Sequence, residues 1–463
     1  MTNKSATNNL APLSFTEKLG YGVGDMASNF YITFFNIFLL YYYVDVWGIS
    51  PGAAGTMFLV TKIIDAISDP AMGIIADRVN TRWGKYRPFL IGVALPYALL
   101  GYLLFLGPDL SESGKLIFAY VTYSLLMLAF TAINVPYSAL LAVISPLSEE
   151  RTKATQFRFV CAALGTLVVG ASAKPLVTFL GGGDELLGYR LTIILFAVLS
   201  VALFIFTFAV TKERIQTPKS NSSIKSDLGI LGKNISWIIL AICSILSIIG
   251  LVARIASTAF FTKYNMGLGD DKVLWWMDGT TLIISTGFVG QLFGALLTPS
   301  LLKICDKKQL MIMTNVLFGV SIIATSFVPV DNYSVILTFY TLGMFSFGII
   351  ITLLFVMYTD CSEYGEWVSG RNIAALTVSA SLFAIKFGAA AGSAIPGYIL
   401  EFVGFVNNET QSQEALEGIN VMWNIVPAGF FFLAAILMFF YKLDRKTMLN
   451  IEHDLLERRN DPV

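Results

Sequence analysis

The stretch "KIIDAISDPAMG", residues 62–73, sets a lysine and two aspartates in the middle of a long apolar run. Spacings of three and four place Lys62, Asp65 and Asp69 on one face of a helix. A charge at the centre of a bilayer costs about 2.5–3.5 kcal/mol on insertion scales, so this face must line a cavity or meet partners rather than lipid. Two carboxylates one turn apart repel, and one is driven toward protonation unless positive charge compensates. Lys62 compensates in part. A bound hard cation would compensate further, because carboxylate oxygens suit it, and Ser68 could add another oxygen. The plainer alternative is an ion pair that only ties helices together, yet one lysine does not balance two aspartates.

Other polar residues interrupt the apolar runs. Asp25 lies in "GYGVGDMASNFY", and Thr131 and Asn134 lie one turn apart in "AFTAINVPYSALL". Arg158 opens the fifth run, where it either faces a loop or serves the interior. Lys174 is near the end of the same run, from where it is expected to snorkel. Arg254 is deep in the seventh run. Lys386 is central in the eleventh, "SASLFAIKFGAAAGSAIPGYI", among small residues that allow close helix approach or a cavity wall. The loop "GIIADRVNTRWGKYRP", residues 73–88, joins Asp77 to Arg78, Arg82, Lys85 and Arg87 around Gly84. It reads as a tight turn in which the acid pairs with these cations in one conformation and releases them in another, a gating element.

The elements that must position these groups are apolar helices. The 463 residues are 56% hydrophobic and 13% charged, against about 25% charged in soluble domains, and mean hydropathy is +0.70. A spanning helix needs about 20 apolar residues. Twelve runs qualify: 20–44, 52–77, 88–106, 115–143, 158–180, 190–211, 235–261, 278–302, 309–328, 334–358, 373–400 and 419–441. A transmembrane barrel would show strands of about ten alternating residues instead.

Lys and Arg cluster in alternate connections: Arg78 to Arg87; Arg151 and Lys153; Lys212 to Lys233; Lys303 to Lys308; and the tail from Lys442 to Arg459. The opposite connections hold little beyond Lys115, Arg190, Lys263 and Lys272. The bias predicts cytoplasmic termini. The polar stretch "TKERIQTPKSNSSIKSDLGILGKN" splits the runs six and six. This predicts a bundle over 1–211, a cytoplasmic linker over 212–234, a second bundle over 235–441 and a cytoplasmic tail over 442–463. A faint likeness between "PYSALLAVISPLSEERTK" and "VMYTDCSEYGEWVSGR" agrees with two related halves. The fold expected is an all-α membrane protein of twelve transmembrane helices.

Several classes are excluded. A net charge of zero gives no electrostatic case for nucleic acid. The polar residues 1–18 followed by a long run do not read as a cleavable signal. The four cysteines, scattered in or beside apolar runs, read as small core residues and not as a metal or disulfide framework. His453 is the only histidine, and no nucleotide-binding or zinc-protease motif is present, so neither a nucleotide-driven pump nor an enzyme is expected.

The pattern G-x-x-x-D-R-x-x-x-R-x-G-x-x-R after the second run, with six plus six spans, resembles the major facilitator superfamily. "GYGVGDMASNF", "LLYYYVDVWGIS", "DAISDP", "NTRWGKYRP", "NVPYSAL", "SEYGEW" and "IKFGAAAGSAIPGYI" together resemble the glycoside–pentoside–hexuronide:cation symporters, over about residues 13–450. The resemblance implies a major facilitator fold of two six-helix bundles. It also implies a sugar or uronide driven across a bacterial inner membrane by Na⁺, H⁺ or Li⁺, without cofactor, by a monomer in the lipid bilayer.

Residue by residue, Asp65, Ser68, Asp69 and Thr131 fall on the cation site, and Asp25 and Arg158 on sugar-contacting positions. Lys386 falls on a helix-eleven lysine. Asn134 stands where the melibiose branch has an aspartate, and Ser138 where it has a tryptophan, so melibiose is not the expected substrate. A charge count over the spans, with Lys62, Arg254 and Lys386 deep and Arg158 at an edge against Asp25, Asp65 and Asp69, and with Asn134 neutral, favours an anionic uronide; the plainer alternative pairs Lys386 permanently with a helix-two aspartate and lets Arg254 snorkel outward. The alternatives are a carrier of lysolipid or another amphiphile on the same scaffold, or an uncoupled sugar facilitator.

Overall fold

A computed structural model of the chain describes residues 12–214, 231–268, 272–274, 276–370 and 374–460. Residues 215–230 of the expected linker, with Lys219 and Lys225, lie outside the described residues. So do the side chains of Lys62, Asp77, Lys272, Arg458 and Arg459.

Two compact units are present. The first comprises Met1–Lys219, Asp270–Leu282 and Val406–Thr410; the second comprises Ser220–Gly269, Ile283–Phe405 and Gln411–Val463.

In the first unit the helices are α1 (Phe15–Tyr41), α2 (Pro51–Arg78), α3 (Arg87–Gly92), α4 (Ala94–Leu104), α5 (Glu112–Ile144), α6 (Ser148–Gly181) and α7 (Glu185–Val210). A capping box starts α1: Ser14 Oγ accepts from Glu17 N–H at 3.1 Å while Glu17 Oε2 accepts from Ser14 N–H at 2.9 Å, satisfying two donors that a helix start otherwise leaves open. Helix α1 packs against α6 and α7, and α2 packs against α5. Gly22 permits the first contact, because a Cβ there would stand 2.8 Å from the Phe157 carbonyl oxygen. Between apolar helices in lipid, such close packing replaces the hydrophobic effect as the attraction. An aromatic cluster adds to it: Tyr42 and Phe105 centroids are 4.7 Å apart and those of Phe34 and Phe105 5.1 Å, each pair contributing about 0.5–1.5 kcal/mol beyond its area.

The second unit holds α8 (Ile235–Phe260), α10 (Lys307–Ser326), α11 (Tyr333–Ser369), α12 (Ala374–Phe402), α13 (Gln413–Asn420), α14 (Val426–Met438), α15 (Arg445–Asn460) and most of α9 (Gly279–Leu301). Helix α8 packs on α12 and α14, and α10 on α11 and α14. The small residues around Lys386 do bring helices together: a Cβ on Gly392 would lie 2.8 Å from the Ile249 carbonyl oxygen of α8. Three π turns, Tyr42–Val46, Phe261–Asn265 and Val421–Ile425, extend or join helices.

Among the described residues, eleven helical segments are long and apolar enough to span a membrane. The remaining expected span is α2, 28 residues long; Lys62, Asp65 and Asp69 lower the hydropathy of its middle. The chain is an all-α, multi-pass membrane protein.

Candidate functional site

The packing of α2 on α5 brings together the four residues expected to hold a cation. Thr131 Oγ1 stands 3.0 Å from Asp65 Oδ1 and 3.0 Å from Asp69 Oδ1. Ser68 Oγ donates to the Asp65 carbonyl at 2.9 Å and lies 3.4 Å from Thr131 Oγ1. Asp65 and Thr131 are each 2% exposed. A hydroxyl has one proton, so Thr131 can donate to only one of the two carboxylates. Toward the other it presents a lone pair. That contact is attractive when the second carboxyl carries a proton or when a cation sits among the three oxygens. An all-oxygen set of this kind suits H⁺ or a hard monovalent cation.

A second polar seam lies on α1, α5 and α6. Arg158 Nε donates to Asp25 Oδ2 at 3.1 Å, and its Nη2 lies 3.4 Å from Oδ1. The guanidinium also lies over the Tyr137 ring, 5.0 Å from its centroid. Tyr21 stacks on Tyr137 at 4.9 Å, and the Tyr137 hydroxyl donates to the Tyr21 carbonyl. Arg158 therefore serves the interior. Its guanidinium is partly open, and so is Asp25, which leaves edges of both groups for hydroxyl partners. Asn134 is 3.3 Å from the Ser28 hydroxyl, and Asn29 Nδ2 donates to the Asp25 carbonyl at 2.8 Å. Ser28, Asn29 and Tyr137 were not singled out above. Asn29 follows Asp25 by one helical turn, a spacing that could have marked it; for Tyr137, inside "NVPYSAL", only the fold reveals the stacking.

Arg254 and Lys386 belong to the second unit. Lys386 is half-buried on α12. Arg254 is 2% exposed on α8, with the Trp423 and Tyr340 rings against its guanidinium. The expected snorkelling of Lys174 does not occur. Lys174 is buried, paired to Glu185 Oε1 at 2.7 Å and over the Tyr41 ring, because the first turn of α7 offers an acid closer than water.

In the loop after α2, Arg78 and Arg82 are exposed, and Arg82 lies over the Trp83 ring at 4.8 Å. Arg87 Nη2 donates to the Phe208 carbonyl at 2.6 Å. Among the described residues, the acid that organises this loop is Glu213, which accepts from the N–H groups of Lys85, Tyr86 and Arg87 at 2.8, 2.7 and 3.0 Å. In the sequence it is one acid of a polar linker.

The family described as MFS/sugar transport protein matches residues 20–445. The chain belongs to this family. Within it, the chain falls among the glycoside–pentoside–hexuronide:cation symporters. The inner membrane symporter YicJ of Escherichia coli (strain K12) is 33% identical over 427 residues, 92% of this chain and 91% of that one. The isoprimeverose transporter of Lactiplantibacillus pentosus is 34% identical over 442 residues, 94% and 90% of the two chains. A crystal structure of a D-xylose-proton symporter shares the fold with a TM-score of 0.62 at 14% identity, covering 92% of this chain and 96% of that one. This family member is thus a major facilitator transporter of the sugar-transport type rather than an enzyme.

Proposed function

We propose that the protein is a cation-coupled symporter importing a glycoside, pentoside or hexuronide across a bacterial inner membrane. It does so as a monomer with both termini cytoplasmic. The observation that carries this reading is the single Thr131 hydroxyl held at 3.0 Å from two carboxylate oxygens on neighbouring turns. Filling that set with Na⁺ or H⁺ removes the repulsion between Asp65 and Asp69 and orders α2 against α5. Asn134 follows Thr131 by three residues on α5 and reaches Ser28 on α1, so ordering at the cation set is passed to the seam of Asp25 and Arg158, where a sugar would bind. Coupling requires that each ligand favour the same conformation, and the effect must be reciprocal. The loaded transporter then alternates its access, with the loop of Asp77, Arg78, Arg82 and Arg87 as a gating element. The relative named as a symporter supports the coupling, and the relative named as an isoprimeverose transporter supports a sugar substrate.

The preferred sugar is an anionic uronide. By charge count over the spans, Arg158 matches Asp25, and Lys62 with one monovalent cation matches Asp65 and Asp69, which leaves the positive charge of Arg254 to be met. A substrate carboxylate would relieve it.

The test is uptake into vesicles holding the purified protein, with labelled glycosides, uronides and lysolipids, with and without a Na⁺ or pH gradient. Glycoside or uronide accumulation above the external concentration, only with a cation gradient, is expected. Uptake that merely equilibrates would mark a facilitator, and cation-independent lysolipid uptake would mark an amphiphile carrier.

A further inference from the structure

Arg254 is a buried cation with part of its hydrogen-bonding capacity unused. Among the described residues, Nε and Nη2 have no hydrogen-bond partner, although both are sealed from solvent. The guanidinium carbon lies 4.3 Å from the Trp423 ring centroid and 5.1 Å from that of Tyr340. Ring faces offset part of the desolvation of a cation, but they satisfy no N–H donor along its edge.

The two open donors are not a random pair. Nε–H and Nη2–H project from the same edge of the guanidinium, parallel and spaced for the two oxygens of one carboxylate. The first unit supplies an internal example: Arg158 meets Asp25 with the same edge, Nε at 3.1 Å and Nη2 at 3.4 Å. What Asp25 gives Arg158, nothing described in this chain gives Arg254.

One of the rings against the guanidinium is held by a π turn. Trp423 sits in the π turn Val421–Ile425, and Phe261, stacked on Trp423 at 4.0 Å, opens the π turn Phe261–Asn265. The Trp423 indole N–H donates to Thr258 Oγ1 at 3.1 Å, and that hydroxyl donates to the Arg254 carbonyl at 2.8 Å. Ring and arginine are thus linked within one turn of α8. A π turn carries one residue more than an α turn and recurs at functional positions; re-forming it as α rotates the side chains it holds.

We infer that the Nε/Nη2 edge of Arg254 is a carboxylate subsite for the transported sugar, sealed from solvent in this conformation and opened when the π turn that holds Trp423 against the guanidinium shifts. This rests on the symporter reading above, and it gives the anionic preference a definite receiver. The ligand class is a sugar acid presenting a planar carboxylate. A neutral glycoside leaves the edge empty.

The experiment compares binding of 4-nitrophenyl β-glucuronide and 4-nitrophenyl β-glucoside to the purified protein, wild type, Arg254→Gln and Arg254→Lys. The wild type should favour the glucuronide about tenfold or more, the effect of a charge-assisted hydrogen-bond pair. The ratio should fall to near unity in Arg254→Gln and to an intermediate value in Arg254→Lys, which keeps the charge but loses the fork. Without sugar, Arg254→Gln should also raise the midpoint of thermal unfolding, because it removes a buried charge with open donors. An equal ratio in the wild type, a ratio unchanged by Arg254→Gln, or a lowered midpoint with the ratio intact would overturn the subsite and leave Arg254 as a brace for the rings. Cation-driven uptake by the wild type is measured in parallel. Its absence would fail the symporter reading, whereas cation-driven but unselective uptake fails only the subsite.

Discussion

Arg158 closes on Asp25 with one edge of its guanidinium while its face lies over Tyr137, so an acid and its counter-ion are pre-assembled in the first unit. The pair sets the charge of the seam to zero and fixes the direction in which each group's remaining edge points. Removing one partner of such a pair leaves a charge uncompensated, which is worth about 3–5 kcal/mol when fully buried and less here, where both groups are partly open.

Asp25→Ala is accordingly expected to lose sugar binding while cation binding is retained, as read by calorimetry with each ligand alone. Combining it with Arg158→Ala should recover part of the lost thermal stability, since the double variant no longer holds an orphan charge. Unchanged sugar affinity in Asp25→Ala would remove the residue from the sugar site.

Thr131→Val should weaken cation binding by about tenfold or more, the loss of one oxygen shared between two carboxylates. Thr131→Ser keeps the hydroxyl and should rescue it. Calorimetric titration with Na⁺, and proton release on a pH jump, distinguish the two coupling ions. Equal affinities in the Val and Ser variants would argue that the hydroxyl takes no part.

Glu213→Ala should free the loop at Lys85–Arg87. Three backbone donors lose their acceptor, and each buried donor left unpaired costs about 1–3 kcal/mol. Amide hydrogen exchange at these three positions should accelerate while exchange in α5 and α6 stays slow. Gly84→Ala should act on the same loop from the other side, because its φ of +110° disfavours a side chain and a Cβ would meet the Glu213 carboxylate at 2.5 Å. Unaltered exchange in both variants would contradict an anchoring role for Glu213.

The spans were legible because a bilayer demands long apolar runs and internally paired backbones, and Asp65, Asp69, Thr131 and Asp25 were legible because polar groups in such runs are costly and need a reason. The residues that escaped notice are those whose role depends on a distant partner. Glu213 looks like any acid in a polar stretch until the backbone of Lys85–Arg87 wraps around it. Lys174 looks like a snorkelling lysine until Glu185, eleven residues later, folds back beside it. Tyr137 and Trp423 read as ordinary apolar content, and only the packing shows that each carries a guanidinium on its face.

Close approach of α12 to α8 depends on the small residues that flank Lys386. Gly392→Val should push the Ile249 backbone away and lower stability by about 1–3 kcal/mol or more, the range for overpacked sites. The midpoint of thermal unfolding reads this directly, and an unchanged midpoint would mean that the helices separate there without penalty.

The central claim is that one cation, held by Asp65, Asp69 and Thr131, moves with each sugar-loaded transition. Its most direct test reverses the usual driving force. A sugar gradient is imposed across vesicles containing the purified protein, with no initial cation gradient, and the movement of Na⁺ and H⁺ is followed. The account predicts that sugar drives one of these cations uphill, and that Asp65→Asn and Asp69→Asn each abolish the flux. Sugar flowing down its gradient with no accompanying cation, or full sugar-driven cation flux in both variants, would contradict it.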